Sequence, residues 1–249
     1  DVSVVHDNCF EADGSVRNIR VMRNRCFNAP LGAMSPQPVL GGPVYFIRNV
    51  VYNAWWGPVK IHGEPSGVYY LNNTYVGEFK QLTPASNLHL RNNLLMGQGT
   101  QPRVMSVDTF TNYSSSDYNG FRPNPQSKEA FAWNSPPFEE VRNFYPARRT
   151  AQPGGQLTVA QTAPIPLVQR AFGTLEDYSK ATGQDRHSRL VDYDIFVNAP
   201  QPDFSDPTRA VAVDAVDLRL RKGAAAIDAG IALPNVTEGY LGRAPDLGA

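Results

Sequence analysis

The sequence predicts an all-β chain: a right-handed parallel β-helix, or solenoid, with an irregular C-terminal section that contains one short helix. Three observations carry that expectation. A phrase of strand followed by asparagine recurs, apolar and polar residues alternate inside it, and a second strand-like text fills the interval between recurrences.

Five phrases, "VVHDNCF", "VMRNRCF", "FIRNVVY", "YLNNTYV" and "LRNNLLM", align without gaps. Asp7, Asn24, Asn49, Asn73 and Asn93 then share one column, at separations by subtraction of 17, 25, 24 and 20 residues. Cys9, Cys26, Val51, Tyr75 and Leu95 share a second column, and Phe10, Phe27, Tyr52, Val76 and Met96 a third. Ile19 and Val21 alternate with Asn18 and Arg20, the period of a strand with one buried face. A unit of ~20 residues cannot bury its apolar face alone, but stacking like units in register, about 4.8 Å apart, does so and turns each column into a ladder. Asn suits the turn column because its side chain bonds backbone locally, tolerates left-handed backbone and pairs with its copy in the next coil.

The intervening text supplies a second strand per coil. "NAPLGAMSPQP" from Asn28 aligns with "NAWWGPVKIHGEP" from Asn53, which places Ser35 over Lys60 and Gln37 over His62. Coils of variable length around an apolar interior describe a parallel β-helix, whose right hand follows from the chirality of parallel crossovers. These coils occupy residues 1–110. Residues 111–249 read as irregular loops, a short helix and closing strands of the same domain, because from about Phe110 the text turns rich in Pro, Ser and Asn: "SSSDYNGFRPNPQ", "NSPPFEE" and "ARRTAQPGGQ". Within it "GTLEDYSKATGQ" predicts the helix, capped by Thr174 with Asp177 three residues on and ended by Gly183. "AVDLRLRKGAAAIDAG" and "RAPDLGA" read as closing strands and turns.

The chain's 249 residues, 41% of them hydrophobic, suffice for one large domain or two small ones. Lys plus Arg number 23 and Asp plus Glu 23, so no positive excess points to nucleic acid and no long basic run to a membrane surface. No apolar run approaches the roughly 20 residues of a membrane span. The chain enters β-rich text directly at Asp1, which reads as a cut with earlier coils missing. Cys9 and Cys26 are a disulfide or two free thiols: stacked in adjacent coils their Cα atoms would lie about 4.8 Å apart, within disulfide reach, and inward thiols fit equally. Asn-x-Ser/Thr acceptors at Asn72, Asn112 and Asn235 carry little weight.

The series "TLEDYSKATGQDRHS", "VDYDIFVN", "DLRLRKGAAAIDAG" and "GRAPDLGA" resembles the closing section of bacterial right-handed parallel β-helix proteins of the pectate-lyase-like superfamily. With the Asn coils, the resemblance covers most of the chain. It is specific for fold and poorly specific for reaction, since that fold hosts lyases, hydrolases, epimerases, phage spikes and adhesins. It implies a secreted, periplasmic or cell-surface protein that handles a polysaccharide or oligosaccharide in an exterior groove. It also implies further N-terminal coils of the same protein, present as a second chain or segment.

The candidate groove text is "AWWGPVKIHGEPSG". Val59 and Ile61 should face inward and Lys60 and His62 outward, roughly 6.5–7 Å apart, with Glu64 just beyond. A lyase needs a base to take the proton beside a carboxylate and a cation to hold the resulting charge, roles that Lys, Arg and His fill. Arg48, Lys80 and Arg91 lie on neighbouring phrases and are placed to neutralise a uronate. A hydrolase needs two carboxyl groups instead, and Glu11 and Asp13, beside Asp7, supply such a cluster. The plainer readings are a solvated strand face for the first group and an acidic turn beside Gly14 for the second. Trp55 and Trp56 point opposite ways on a strand, so at most one is buried there, and an exposed ring can stack on a sugar. His6, His62, His89 and His187 have no metal-ligand spacing, and no Ser-His-Asp motif, phosphate loop or dinucleotide fingerprint is present. The resemblance leaves calcium open as a cofactor, though no acidic loop here has a ligand pattern that compels it. The expected function is glycosidic cleavage of an extracellular polysaccharide by a hydrolase or lyase with Lys60, His62 and Glu64 at its centre. The alternative is a non-catalytic surface or carbohydrate-binding β-helix.

Overall fold

The computed structural model describes residues 1–40, 42–137, 167–206 and 208–249. The chain winds as a parallel β-solenoid of about 5 turns, and each turn feeds up to three sheets. The first sheet stacks Ile19–Met22, Val44–Ile47, Ser66–Leu71, Ser86–Arg91 and Ser115–Asp117, all parallel. The second stacks Val2–Ser3, Arg25–Phe27, Val50–Tyr52, Thr74–Val76, Leu94–Met96, Gly120–Arg122 and Arg189–Leu190. The third is discontinuous: Phe10–Glu11 pairs Met34–Ser35, single bridges join Met34 to Val59, Ile61 to Gln81 and Phe79 to Met105, and Met105–Asp108 pairs Phe131–Asn134.

Alternation decides which side chains meet. In the first sheet Phe46, Tyr70 and Leu90 stack inward and are buried, while Tyr45, Tyr69 and His89 form the matching outward column. In the second, Cys26, Val51, Tyr75, Leu95 and Phe121 share one inward column, as the alignment expects from Cys26 on. Burying one large apolar side chain is worth about 1.5–3 kcal/mol, and this column repeats that gain in every coil.

The turn between these two sheets carries the asparagine ladder. The side-chain amide of Asn24 donates to Asn49 Oδ1 at 3.1 Å, Asn49 to Asn73 at 3.1 Å, Asn73 to Asn93 at 2.9 Å and Asn93 to Asn119 at 3.0 Å. Each accepting oxygen also takes the backbone N–H of the previous rung, at 2.9–3.2 Å. Left-handed backbone falls one residue before the rung, at Arg23, Arg48, Asn72, Asn92 and Tyr118. The rung itself is therefore selected for its amide rather than for its φ.

Two sequence expectations need correction. Asp7 is not a rung and "VVHDNCF" is not a coil of the first two sheets: Val2, not Cys9, stacks on Cys26, and Phe10 joins the third sheet beside Met34. Asp7 resembles Asn in shape, which made the alignment look sound, but a carboxylate cannot pass a hydrogen bond along an amide ladder. Secondly, "SSSDYNGFRPNPQ" is not a loop. It holds two coil strands and the rung Asn119, disguised because the inward residue there is Ser116. "ARRTAQPGGQ" and the end of "NSPPFEE" lie outside the described residues.

The helix spans Leu175–Thr182 as expected. Thr174 accepts from the Asp177 N–H, and Gly183, at φ 73°, ends it. Its buried Tyr178 stacks on Phe131 of the last described coil, ring centroids 5.4 Å apart. Beyond it, Phe196–Asn198 and Asp217–Leu220 pair antiparallel, and the tail lies over the outside of the second sheet. Ile195, Phe196, Ala226 and Leu247 bury Phe27, Tyr52, Val76, Leu94 and Met96 there. Asparagines outside the main ladder pin it: Asn28 exchanges two hydrogen bonds with Val211 and Asn92 two with Ile231. Among the described residues no helix is long and apolar enough to cross a membrane.

Candidate functional site

With the second sheet covered by the tail, the outer faces of the other two sheets carry the side chains that meet solvent. The third-sheet register sets Glu11 beside Ser35, Ser35 beside Lys60 and Lys60 beside Lys80, one residue per coil. Val59 and Ile61 are buried in the core, as the alternation requires, and Lys60 and His62 point out. Side chains from the two flanking coils gather around Gly32: a Cβ there would lie 3.2 Å from Lys60 Cβ, 3.6 Å from Asn8 Oδ1 and 3.6 Å from the Trp56 ring. Its φ of 126° also disfavours any other residue.

Within this cluster Lys60 Nζ pairs with Asp7 Oδ2 at 2.9 Å, its side chain only 17% exposed. Lys80 Nζ lies 4.0 Å from the centroid of the Trp56 ring, a cation–π contact. Burial lowers the Lys80 pKa, opposed by the nearby Glu78 carboxylate. Asp7 Oδ1 and Asn8 Oδ1 are buried without a hydrogen-bond partner, as is Gln37 Oε1 further along the same sheet. Buried acceptors ordinarily find donors.

The remaining candidates are more scattered. Glu11 accepts from Asn8 Nδ2 at 2.7 Å, and Asp13 accepts from Ser35 Oγ and the Gln37 N–H, both at 2.9 Å. His62 and Glu64 are exposed, and the Glu64 N–H donates to Thr83 Oγ1. Among the described residues no hydrogen bond or ion pair joins Lys60, His62 and Glu64 to one another. Trp55 is 42% exposed and Trp56 half-buried beneath Lys80. Arg48 and Arg91 stand elsewhere, Arg48 at the ladder turn and Arg91 on the first sheet, where it donates to Ser115 Oγ at 2.8 Å. They share no face with Lys60. Among the described residues no group of three His, Cys, Asp or Glu is arranged to hold a metal ion.

Sequence reasoning missed Asp7 as the partner of Lys60, since 53 residues separate them. It also missed Glu78, a fully buried carboxylate that accepts from the N–H groups of Gln98 and Gly99, from Thr100 Oγ1 and from Asn124 Nδ2. That set fixes the loop after Met96, and Gln98 in turn donates to the Ala54 carbonyl beside the tryptophans. The outward Tyr45, Tyr69 and His89 were signalled by the alternation in "VYF", "VYY" and "LHL". The cysteines form a disulfide, Cys9 to Cys26, with Cα atoms 6.0 Å apart.

Comparison of the chain with protein-family models, with curated proteins and with solved structures finds no match.

Proposed function

We propose that the protein is an extracellular, carbohydrate-active β-helix of the pectate-lyase-like kind, which takes a polysaccharide or oligosaccharide on the third-sheet face and cleaves its glycosidic bonds. The observation that carries this reading is the cluster around Gly32, where Trp56, two lysines and unpaired acceptor oxygens converge from neighbouring coils. A sugar offers such a surface hydroxyl groups for its lysines and an apolar ring face for the exposed Trp55. Lys80, with its pKa lowered by burial, has the property a proton-abstracting base needs. Lys60, ion-paired with Asp7, suits the stabilisation of a developing anion. In the hydrolytic variant Glu11 and Asp13 are the carboxyl pair, Glu11 ending a strand and Asp13 in the turn after it. The Cys9–Cys26 disulfide fits an oxidising compartment, hence secretion, the periplasm or the cell surface.

A second reading, glycan binding without chemistry, is favoured by the engagement of Lys60 by Asp7 and of Asp13 by Ser35 and Gln37. Incubating the protein with uronate-containing and neutral polysaccharides, and assaying for unsaturated ends and new reducing ends, separates the readings. A lyase gives unsaturated ends, and Lys80→Ala lowers the rate by about 10²-fold or more. A hydrolase gives reducing ends only and is lost in Glu11→Gln or Asp13→Asn. Binding without product selects the second reading, and neither binding nor product rejects both.

A further inference from the structure

The outer face of the first sheet carries a column that the third-sheet site does not use. Arg20, Tyr45, Tyr69, His89 and Ser115 occupy register-matched outward positions in five successive strands. The Arg20 guanidinium lies 5.9 Å from the Tyr45 ring centroid; Tyr45 and Tyr69 are 5.0 Å apart, Tyr69 and His89 4.7 Å, and His89 Nδ1 meets Ser115 Oγ at 2.9 Å. Because the rings lie against one another, their faces are spent on the stack and their edges point to solvent. The column is thus a comb of polar edges repeated about every 4.8 Å rather than an apolar platform. All three rings are half-buried, and neither tyrosine hydroxyl bonds to another described residue. The two hydroxyls therefore stand in register on the outward face.

An arginine flanks the comb at each end. Arg20, exposed at one end, has no carboxylate partner among the described residues. Arg91 flanks His89, and Asp117, its neighbour in register, shares its carboxylate with His187 Nδ1 at 2.8 Å. Burial and the neighbouring Arg91 lower the His89 pKa, so this ring serves as a neutral hydrogen-bonding edge.

We infer that this face binds a carboxylate-bearing polysaccharide lying along the solenoid axis, with Tyr45, Tyr69 and His89 bonding successive sugar units and Arg20 and Arg91 holding their carboxylates. A repeating, linear, anionic partner matches both the one-per-coil spacing and the arginine at each end, of which Arg20 has no carboxylate partner among the described residues. The inference rests on the glycan reading above and assigns it a second surface, separate from the cluster at Gly32.

Affinity electrophoresis of the full chain through gels containing alginate or dextran tests it. Alginate retards the wild type, less so as salt rises, and dextran does not. Arg20→Gln, at an exposed position, weakens retardation by about tenfold, whereas Lys222→Gln, the same charge change on the tail, does not. Tyr69→Phe, which keeps the ring and the stack, gives a smaller loss, and unchanged melting temperatures show that the variants fold. Equal retardation of wild type, Arg20→Gln and Tyr69→Phe overturns the site, as does absence of retardation by alginate or retardation by sulfated polymers alone. The product assay reports separately on the Gly32 face: intact retardation with no cleavage of any glycan rejects the catalytic reading and leaves this surface standing.

Discussion

The last rung of the asparagine ladder shows how much one side chain can decide. Every amide in the ladder donates in the same direction, so the final one, Asn119, needs an acceptor with no further amide behind it. Asp185 provides it: Oδ1 accepts from Asn119 Nδ2 at 3.0 Å and from Ser188 Oγ at 2.6 Å, and Oδ2 from Tyr178 Oη at 3.1 Å. The group is fully buried, and desolvation raises its pKa against the pull of these donors. A carboxyl whose folded pKa is raised contributes stability that is fully present below its unfolded value of about 3.9 and is lost as pH rises through the folded value. Asp185→Asn has no such titration. The stability difference between Asp185→Asn and wild type, from urea midpoints, should therefore shift in favour of the variant as pH rises from about 4 towards 7. A difference that stays flat, or shifts towards wild type, contradicts the assignment. Nothing local announced this carboxylate, because 66 residues separate it from Asn119.

At the scale of the element, the ladder and the sheets it joins were the legible part of the chain, and the reason is physical: parallel stacking forces like residues into columns that a sequence displays as repeats. Asn73 illustrates the energetic weight of a rung. Its Oδ1 accepts from both the backbone and side-chain nitrogens of Asn49, and its amide donates to the Phe46 carbonyl and to Asn93 Oδ1. Asn73→Ala leaves these buried partners unpaired, at about 1–3 kcal/mol for each unsatisfied group. We expect a loss of about 3 kcal/mol or more in urea unfolding, against about 1 kcal/mol or less for a substitution at an exposed residue such as Arg23. Similar midpoints for the two would remove the ladder from the account of stability. The candidate site was less legible than the ladder. Alternation placed Lys60 and His62 outward and Val59 and Ile61 inward, but it could not tell that Arg48 and Arg91 belong to other faces, nor that Asp7 reaches Lys60. Facing relations across a solenoid depend on how three sheets close around the core, and no repeat records that.

At the scale of the whole molecule, a solenoid is a one-dimensional stack in which each coil is held mainly by its neighbours, so its ends set where unfolding begins. The two ends described here are unlike. The later coils are sealed by the helix, with Tyr178 on Phe131, and by the tail that Asn72 and Asn92 tie across the second sheet. The first coil lacks a rung and its two strands are two residues long; Val4 in it, and Val16, Ile19 and Met22 just after it, are exposed. Its covalent attachment is the Cys9–Cys26 disulfide, which spans 17 residues. Closing a loop of about that size restricts the unfolded chain by about 3 kcal/mol. Cys9→Ala/Cys26→Ala should therefore lose about that much, and the loss should be local before it is global. In hydrogen exchange the Ala12 and Val4 amides, which bond to Ser35 and Phe27, should exchange faster, while the Asn73 and Asn93 amides, deep in the ladder, keep their protection under native conditions. Uniform acceleration across all rungs would mean that the solenoid unfolds as one unit and that the disulfide secures the entire stack rather than its first coil.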